Sequence, residues 1–247
     1  MNTPNESRSF LTGEFHLTRI VVLACAILAG CASTKVTNRE VIVTEQIAKP
    51  ANILVYDFAA TADDIPDYSE LSTQPFDPSG KPTPEQAELG RKLGTTIAQE
   101  LAQEIVKMGL PAQRVPLAAV PNEGDLLIRG YLVSVDEGST TKRVALGFGY
   151  GSSELKTVVE GFQMTASGPR KLGAGSLDSG GAKNPGGALG AGMLLLTRNP
   201  LGLIVSSGVN VYGETTGEAT VEGRAKQTAK EIANQLKVRF EQQGWIK

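Results

Sequence analysis

The stretch Ile53-Leu54-Val55-Tyr56-Asp57-Phe58 opens the folded part of this chain, and its pattern sets the fold. It is a short apolar run of β-forming residues, which is typical of a buried strand. Residues 125–136 and 154–165 also have strand-forming character, and a turn at Gly168 leads into 171–177. Gly130 inside one of these runs indicates a bulge or a close backbone contact.

A helix with clear end signals follows the first strand. Thr83 is a suitable N-cap, Pro84 suits the first helical position, Gln86 completes a capping box and Gly109 ends the helix. One apolar stripe recurs every fourth residue: Leu89, Leu93, Ile97, Leu101 and Ile105. The stripe predicts a helix that packs on its own sheet, and Gly90 and Gly94 beside it would allow a close approach.

The chain ends in a second amphipathic helix, at about 218–243. Its apolar face is formed by five residues: Ala225, Ala229, Ile232, Leu236 and Phe240. Gly244 is a C-terminal cap signal, and Trp245 can fold back over the last turn. The order strand, helix, strands, helix predicts an α+β fold, with a mostly antiparallel sheet packed by two main helices and a glycine-rich apolar hairpin insertion.

Residues 59–81 form a polar stretch with several acids and prolines. No regular element is expected there, and a connection of this length is either functional or without fixed structure. The spacing of its acidic side chains fits no calcium-loop pattern, so we predict no metal site. We also expect the domain to tolerate the loss of this stretch better than a change at Leu93.

The N-terminal region carries the motif Leu28-Ala29-Gly30-Cys31 behind Arg19 and an apolar run of about ten residues. The run is too short to span a membrane, which takes about 20 residues. The motif resembles a bacterial lipobox, which implies cleavage before Cys31 and acyl chains on its thiol and its amine. The alternatives are an ordinary signal peptide cut elsewhere and a single N-terminal anchor helix.

A lipidated Cys31 predicts how the chain is divided and where it is found. Two or three acyl chains suffice for stable anchoring. Ala32 and Ser33 follow the cysteine. Resemblance to enterobacterial lipoproteins, in which an aspartate after the cysteine is the inner-membrane retention signal, implies the outer membrane, with the domain facing the periplasm. We predict a signal peptide at 1–30, a lipidated cysteine and tether at 31–52, and one α+β domain at 53–247 with an insertion at about 180–213.

Composition excludes several classes of function. The only histidine, His16, and one of the two cysteines, Cys25, would leave with the signal peptide. The mature chain would then hold no Ser-His-Asp or Cys-His catalyst and no thiolate metal site. A net charge of −2 gives no basis for binding nucleic acid. We predict no catalytic residues, no metal and no cofactor, although a hydrolase using paired carboxylates or a Ser-Lys pair stays open.

The segment 180–211 concentrates glycine and aliphatic residues. It could form a buried helical hairpin over the sheet, a contact surface for a partner or a second copy, or a hairpin that inserts into the membrane. We take it as a candidate interaction segment with seven aliphatic residues: Leu194, Leu195, Leu196, Leu201, Leu203, Ile204 and Val205.

Four stretches in order carry a family resemblance: Ile53-Leu54-Val55-Tyr56-Asp57-Phe58, Gly151-Ser152-Ser153-Glu154-Leu155, Leu177-Asp178-Ser179-Gly180-Gly181 and Glu222-Gly223-Arg224-Ala225-Lys226-Gln227-Thr228-Ala229. With them, residues 53–245 resemble the bacterial domain-of-unknown-function family 4410, which implies no particular activity. In layout the chain is more distantly similar to the curli-secretion channel lipoprotein and to lipoprotein activators of peptidoglycan synthases. That similarity assigns no functional residue.

Three functions follow as hypotheses. The first is an outer-membrane-anchored lipoprotein with a non-catalytic domain that binds another envelope component. The second is a subunit of an oligomeric outer-membrane assembly or secretion apparatus, and the third is an envelope hydrolase. The expected partners are the membrane, through N-terminal acyl chains, and an unknown envelope protein or a second copy of this chain.

Overall fold

The computed structural model describes residues 34–73, 83–136, 154–180, 204–206 and 220–247, with the backbone alone at 133–136, 154, 180 and 204–206. Two long helices and seven strands occupy these ranges: β1 Thr34–Val41, β2 Ile53–Tyr56, α1 Pro84–Lys107, β3 Ala112–Val115, β4 Leu126–Asp136, β5 Glu154–Thr165, β6 Gly168–Gly180, β7 Ile204–Ser206 and α2 Val221–Gln242. The predicted α+β class is confirmed.

All seven strands belong to one sheet, in the order β1-β6-β5-β4-β2-β3, with β7 paired to the end of β4. The strands β1, β6, β5 and β4 lie side by side in that order, and each is antiparallel to the next. The short strand β2 runs parallel to both β3 and β4. The sheet is therefore mostly antiparallel, as predicted. The sequence gives no sign of β3, because its two middle residues, Gln113 and Arg114, are polar and exposed.

The structure differs from the predicted tether at 31–52. Thr34–Val41 is a strand of the sheet, paired with β6 from Thr34↔Ser179 to Val41↔Gly173. The following residues are bound to the end of α2, where Ile47 N–H donates to Gln243 Oε1 at 2.8 Å and Trp245 Nε1 donates to Ile47 O at 3.2 Å. The first described strand of the sheet thus begins three residues after Cys31 in the sequence.

Both helices pack on one face of the sheet. The α1 stripe is confirmed, since Leu93, Ile97, Leu101 and Ile105 are fully buried. The capping box is also as predicted, with Thr83 N–H donating to Gln86 Oε1 at 2.8 Å and Gln86 N–H to Thr83 Oγ1 at 3.3 Å.

Phe58 occupies the contact between α1 and the sheet. A Cβ on Gly94 would lie 2.2 Å from Phe58 O, and one on Gly130 would lie 2.2 Å from the Phe58 ring. Two glycines, one on α1 and one on β4, therefore make room for a single buried aromatic residue. The predicted close contacts at Gly94 and Gly130 are both present.

The other face of the sheet is covered by residues 57–73, which contain two short 3₁₀ turns, Ala62–Asp64 and Glu70–Thr73. Ala59 continues the pairing with β4, since its N–H donates to Gly130 O at 2.8 Å and its carbonyl accepts from Leu132 N–H at 2.9 Å. Buried side chains lie beneath it, among them Tyr131 and Phe162. Loss of this stretch would uncover them, and that the domain tolerates this loss better than a change at Leu93 stays a prediction.

Candidate functional site

An apolar groove lies between the C-terminal half of α2 and the sheet beneath it. Its roof is formed by Ile232, Leu236 and Phe240 of α2, and its floor by the helix-facing residues of β4, β5 and β6. β1 and the residues after it form the outer wall, and Trp245 lies at one end. The cavity volume is about 160 Å³. An engineered apolar cavity of about 150 Å³ stays dry and binds small apolar molecules, so the groove is large enough for a ligand.

Glycine forms much of the groove floor. Gly161 of β5 and its partner Gly173 of β6 both line it, as does Gly175. A Cβ on Gly161 would meet no atom within 4 Å, and one on Gly175 would meet only Asn38 O, at 3.5 Å. Among the described residues, no side chain fills the space over Gly161.

The groove opens towards β1. Residues at the inner end are buried, with Ile128 1% and Val159 9% exposed, whereas Val41 at the outer wall is 40% exposed. Arg39 lies on the outer wall, its side chain is exposed, and no described residue is paired with it. Arg239, also at the groove, donates to Val43 O and, at 3.1 Å, to Gln242 Oε1. The mouth therefore carries one cation without a described partner beside an apolar interior.

A second feature, on the opposite face, is a buried polar cluster that we name the Glu160 clasp, formed by Ser69, Glu70, Tyr131, Glu160 and Lys171. Glu160 Oε2 accepts from Ser69 Oγ at 2.6 Å and from Tyr131 OH at 3.0 Å. Lys171 Nζ lies 3.3 Å from Glu160 Oε1 and 2.6 Å from Glu70 Oε2. The clasp thus joins residues 57–73 to β4, β5 and β6.

The clasp is suited to holding the chain rather than to nucleophilic chemistry. Ser69 is 1% exposed, and its hydroxyl faces Glu160 instead of the lysine that a Ser-Lys pair would need as its base. Burial acts to lower the pKa of Lys171, but its bond to Glu70 and the charge of Glu160 outweigh this and raise the pKa. Burial, with Glu160 nearby, raises the pKa of Tyr131. Lys171 stays charged and Tyr131 neutral at physiological pH.

The predicted site residues fall mostly outside the described residues. Gly30, Cys31, Leu194, Leu195, Leu196, Leu201 and Leu203 all lie there. Ile204 and Val205 are placed in β7, which runs parallel to the end of β4 with Ile204 opposite Ser134. One short part of the candidate interaction segment is therefore backbone-paired to the main sheet.

Sequence reasoning did not find the groove. Its one local signal is the alternation of Gly173 and Gly175 in β6, which puts two glycines on the same face of a strand. Nothing in the sequence marks Gly161 or Arg39 as part of a groove. Their role depends on how α2 and β1 are placed next to the same face of the sheet.

The described ranges contain neither a membrane-spanning helix nor a cluster of metal-binding side chains. No helix in them combines the length and the apolar character needed to cross a membrane. In these same ranges, no three side chains of His, Cys, Asp or Glu come together as a metal ion would require.

The sequence model of the family described as "Domain of unknown function (DUF4410)" matches residues 53–197, more than half of the chain. The chain belongs to the DUF4410 family. The resemblance stated above is thereby confirmed for that family. No curated protein sequence matches the chain.

Among solved structures, the chain is similar to two crystal forms of the PelC dodecamer from Paraburkholderia phytofirmans, one of them a single-residue variant. The identities are 12% and 13%, and each match covers 69% of this chain and 98% of the other. At a TM-score of 0.34 the likeness carries no argument about fold or function.

Proposed function

We propose that this member of the DUF4410 family is an outer-membrane lipoprotein, anchored through acyl chains on Cys31, whose domain binds another envelope component without catalysing a reaction. The observation that carries the proposal is the spacing between two features. The lipobox-like motif ends at Cys31, and β1 begins at Thr34.

That spacing determines how such an anchor would hold the domain. Only Ala32 and Ser33 separate Cys31 from β1, and three residue steps of extended chain cover at most about 11 Å. An acylated Cys31 would therefore keep the sheet close to the membrane surface. A site that takes ligands from the membrane or its immediate surroundings suits this position better than one that must reach across the periplasm.

The groove beneath α2 supports a binding role. It is apolar, no described side chain fills it, and its edge strand β1 begins three residues after Cys31 in the sequence. The Glu160 clasp, by contrast, has its hydroxyl and ammonium groups bonded to its own carboxylates. We therefore assign binding to the groove and a structural role to the clasp.

The test of the anchor compares the wild-type chain with Cys31→Ser in the bacterial envelope. Wild-type protein should incorporate labelled palmitate, begin at residue 31 by mass and float with outer membranes. Cys31→Ser should take up no label and lose the membrane fraction, because a run of about ten apolar residues is too short to span well. Cys25→Ser is the matched control and should behave as wild type. An unlabelled wild-type protein, or one that begins elsewhere, would overturn the proposal.

A further inference from the structure

We propose that the groove beneath α2 binds the alkyl chain of a single-chain anionic amphiphile, that is, of a fatty acid. The inference names a ligand for the binding role proposed above and so rests on that role. It does not depend on the anchor at Cys31.

The chemistry of the walls requires an apolar ligand. Leu236 and Phe240 lie above the space, and Val159 and Leu177 lie below it. A polar ligand here would lose its hydrogen bonds to water without replacing them, which is unfavourable. An alkyl chain gains free energy for every methylene that it buries.

The shape of the groove favours one linear chain. Its lining extends from β1 across β6 and β5 to Ile128 of β4, three inter-strand steps or about 14 Å. Its volume of about 160 Å³ is small for that depth. A space of this length and volume suits one alkyl chain better than the paired chains of a diacyl lipid.

The mouth of the groove offers a cationic side chain to the anionic head of the ligand. Arg39 lies at the outer wall on the strand residue opposite Gly175, on the same face as the groove. Its guanidinium is exposed and has no described partner, and guanidinium groups bind carboxylates well through paired hydrogen bonds. The nearest acid along β1, Glu40, is engaged elsewhere, with its carboxylate 3.8 Å from Lys171 Nζ of the clasp. A fatty acid would therefore place its carboxylate at Arg39 and its tail over Gly161.

The experiment uses the full chain carrying Cys31→Ser, so that no attached lipid competes, purified without detergent. The probe is a C16 fatty acid with a photoreactive diazirine near the end of its tail. After irradiation, saturable labelling should map to residues 159–161 of β5 and 232–240 of α2. Unlabelled palmitate should compete, whereas diacyl phosphatidylglycerol vesicles should not.

Three variants test the site directly. Gly161→Leu fills the open space and should lower labelling at least about tenfold, because the leucine occupies the volume of several bound methylenes. Gly175→Val is a second filling variant, should Gly161→Leu not fold. Arg39→Gln should weaken binding of the fatty acid several-fold and leave binding of the corresponding neutral alcohol unchanged. The exposed Arg91 of α1 provides the matched control, Arg91→Gln, which should change neither.

Three outcomes would overturn the inference. The first is that folded Gly161→Leu and Gly175→Val are labelled as strongly as the wild type, and the second is that the label maps to the clasp face. The third is that the wild-type protein takes up no probe but forms a dimer, which Gly161→Leu abolishes. The last would identify a second copy as the occupant. This assay uses protein without acyl chains, so a negative result here would not contradict the proposed anchor at Cys31. Conversely, a wild-type protein that takes up no palmitate label in the envelope would not contradict ligand binding in the groove.

Discussion

Gly130 and Gly161 lie on the same face of the neighbouring strands β4 and β5, beneath the helices, yet their surroundings are opposite. A Cβ on Gly130 would lie 2.2 Å from the Phe58 ring, whereas a Cβ on Gly161 would meet nothing within 4 Å. In the first position the missing side chain admits another residue of the protein. In the second it leaves space that no described residue uses. The same residue type thus supports packing beside α1 and an open groove beside α2.

The largest effect is expected where a glycine contacts main chain. Gly94→Ala puts a methyl group 2.2 Å from Phe58 O, and a backbone carbonyl cannot rotate away as a side chain can. We expect a loss of at least about 3 kcal/mol in unfolding free energy, measured by urea denaturation. The loss should persist when Phe58 is also replaced by alanine, since the clash is with the backbone. Rescue by Phe58→Ala would show that the backbones are not in contact there.

Gly130→Ala should lower the unfolding free energy by less than Gly94→Ala does. Its effect should also depend on whether Phe58 is replaced by alanine. Its clash is with the Phe58 ring, so we expect a loss of about 1–3 kcal/mol on its own. Phe58→Ala alone should cost about 3–5 kcal/mol. In that background the added cost of Gly130→Ala should fall below about 0.5 kcal/mol, a coupling that a double-mutant cycle measures. Simple additivity would contradict the packing of Phe58 against Gly130.

The clasp face should differ from both glycine sites in its dependence on pH. Folded Tyr131 has a raised pKa because it is buried, so it keeps its proton at a pH where an unfolded tyrosine, with a pKa near about 10, has lost it. Its contribution to stability is therefore present below about pH 10 and is lost as pH rises further. Lys171, whose pKa is also raised, acts in the same direction.

Tyr131→Phe tests this contribution. At pH 7 it should cost about 1.5–3 kcal/mol, through the lost hydrogen bond to the Glu160 carboxylate. Between pH 8 and 11 its stability should fall less steeply than that of the wild type. Gly161→Ala, with no titrating group nearby on its face, should keep the wild-type pH slope. Equal slopes for wild type and Tyr131→Phe would exclude the assigned role of Tyr131.

The smallest effect is expected at Gly161. Alanine there meets open space, and no positive φ stands against it, so the change should leave stability unaltered or raise it by up to about 1 kcal/mol. Gly168→Ala is the contrasting control, since its φ of 114° strains any other residue. A clear destabilisation by Gly161→Ala in chemical denaturation would mean that the groove is not open.

The sequence allowed close prediction of elements whose signals are local. The predicted strand 154–165 has the observed bounds, and α1 begins after the predicted cap at Thr83 and ends two residues before Gly109. Capping hydrogen bonds and side-chain periodicity act over a few residues, so they are visible in the chain itself.

Features that depend on distant partners were not predictable in this way. β1 has a mixed, half-polar sequence and becomes a strand by pairing with β6, more than a hundred residues later. Gly130 and Gly161 look alike in sequence, each a glycine in an apolar strand. They differ in what lies over them on the helix-covered face, which is Phe58 over Gly130 and open space over Gly161. That difference depends on how α1 and α2 pack on the sheet.

The most direct test of the groove as a binding site is the thermal midpoint of the Cys31→Ser chain, with and without Gly161→Leu, during titration with decanoate below its micelle concentration. Ligand at about a hundred times its dissociation constant stabilises a protein by about 2.7 kcal/mol, or about 5 °C or more for a domain of this size. The thermal midpoint should rise by that amount in the chain with Gly161 and should stay unchanged in Gly161→Leu. An equal rise in both, or no rise in either at saturating decanoate, would contradict it.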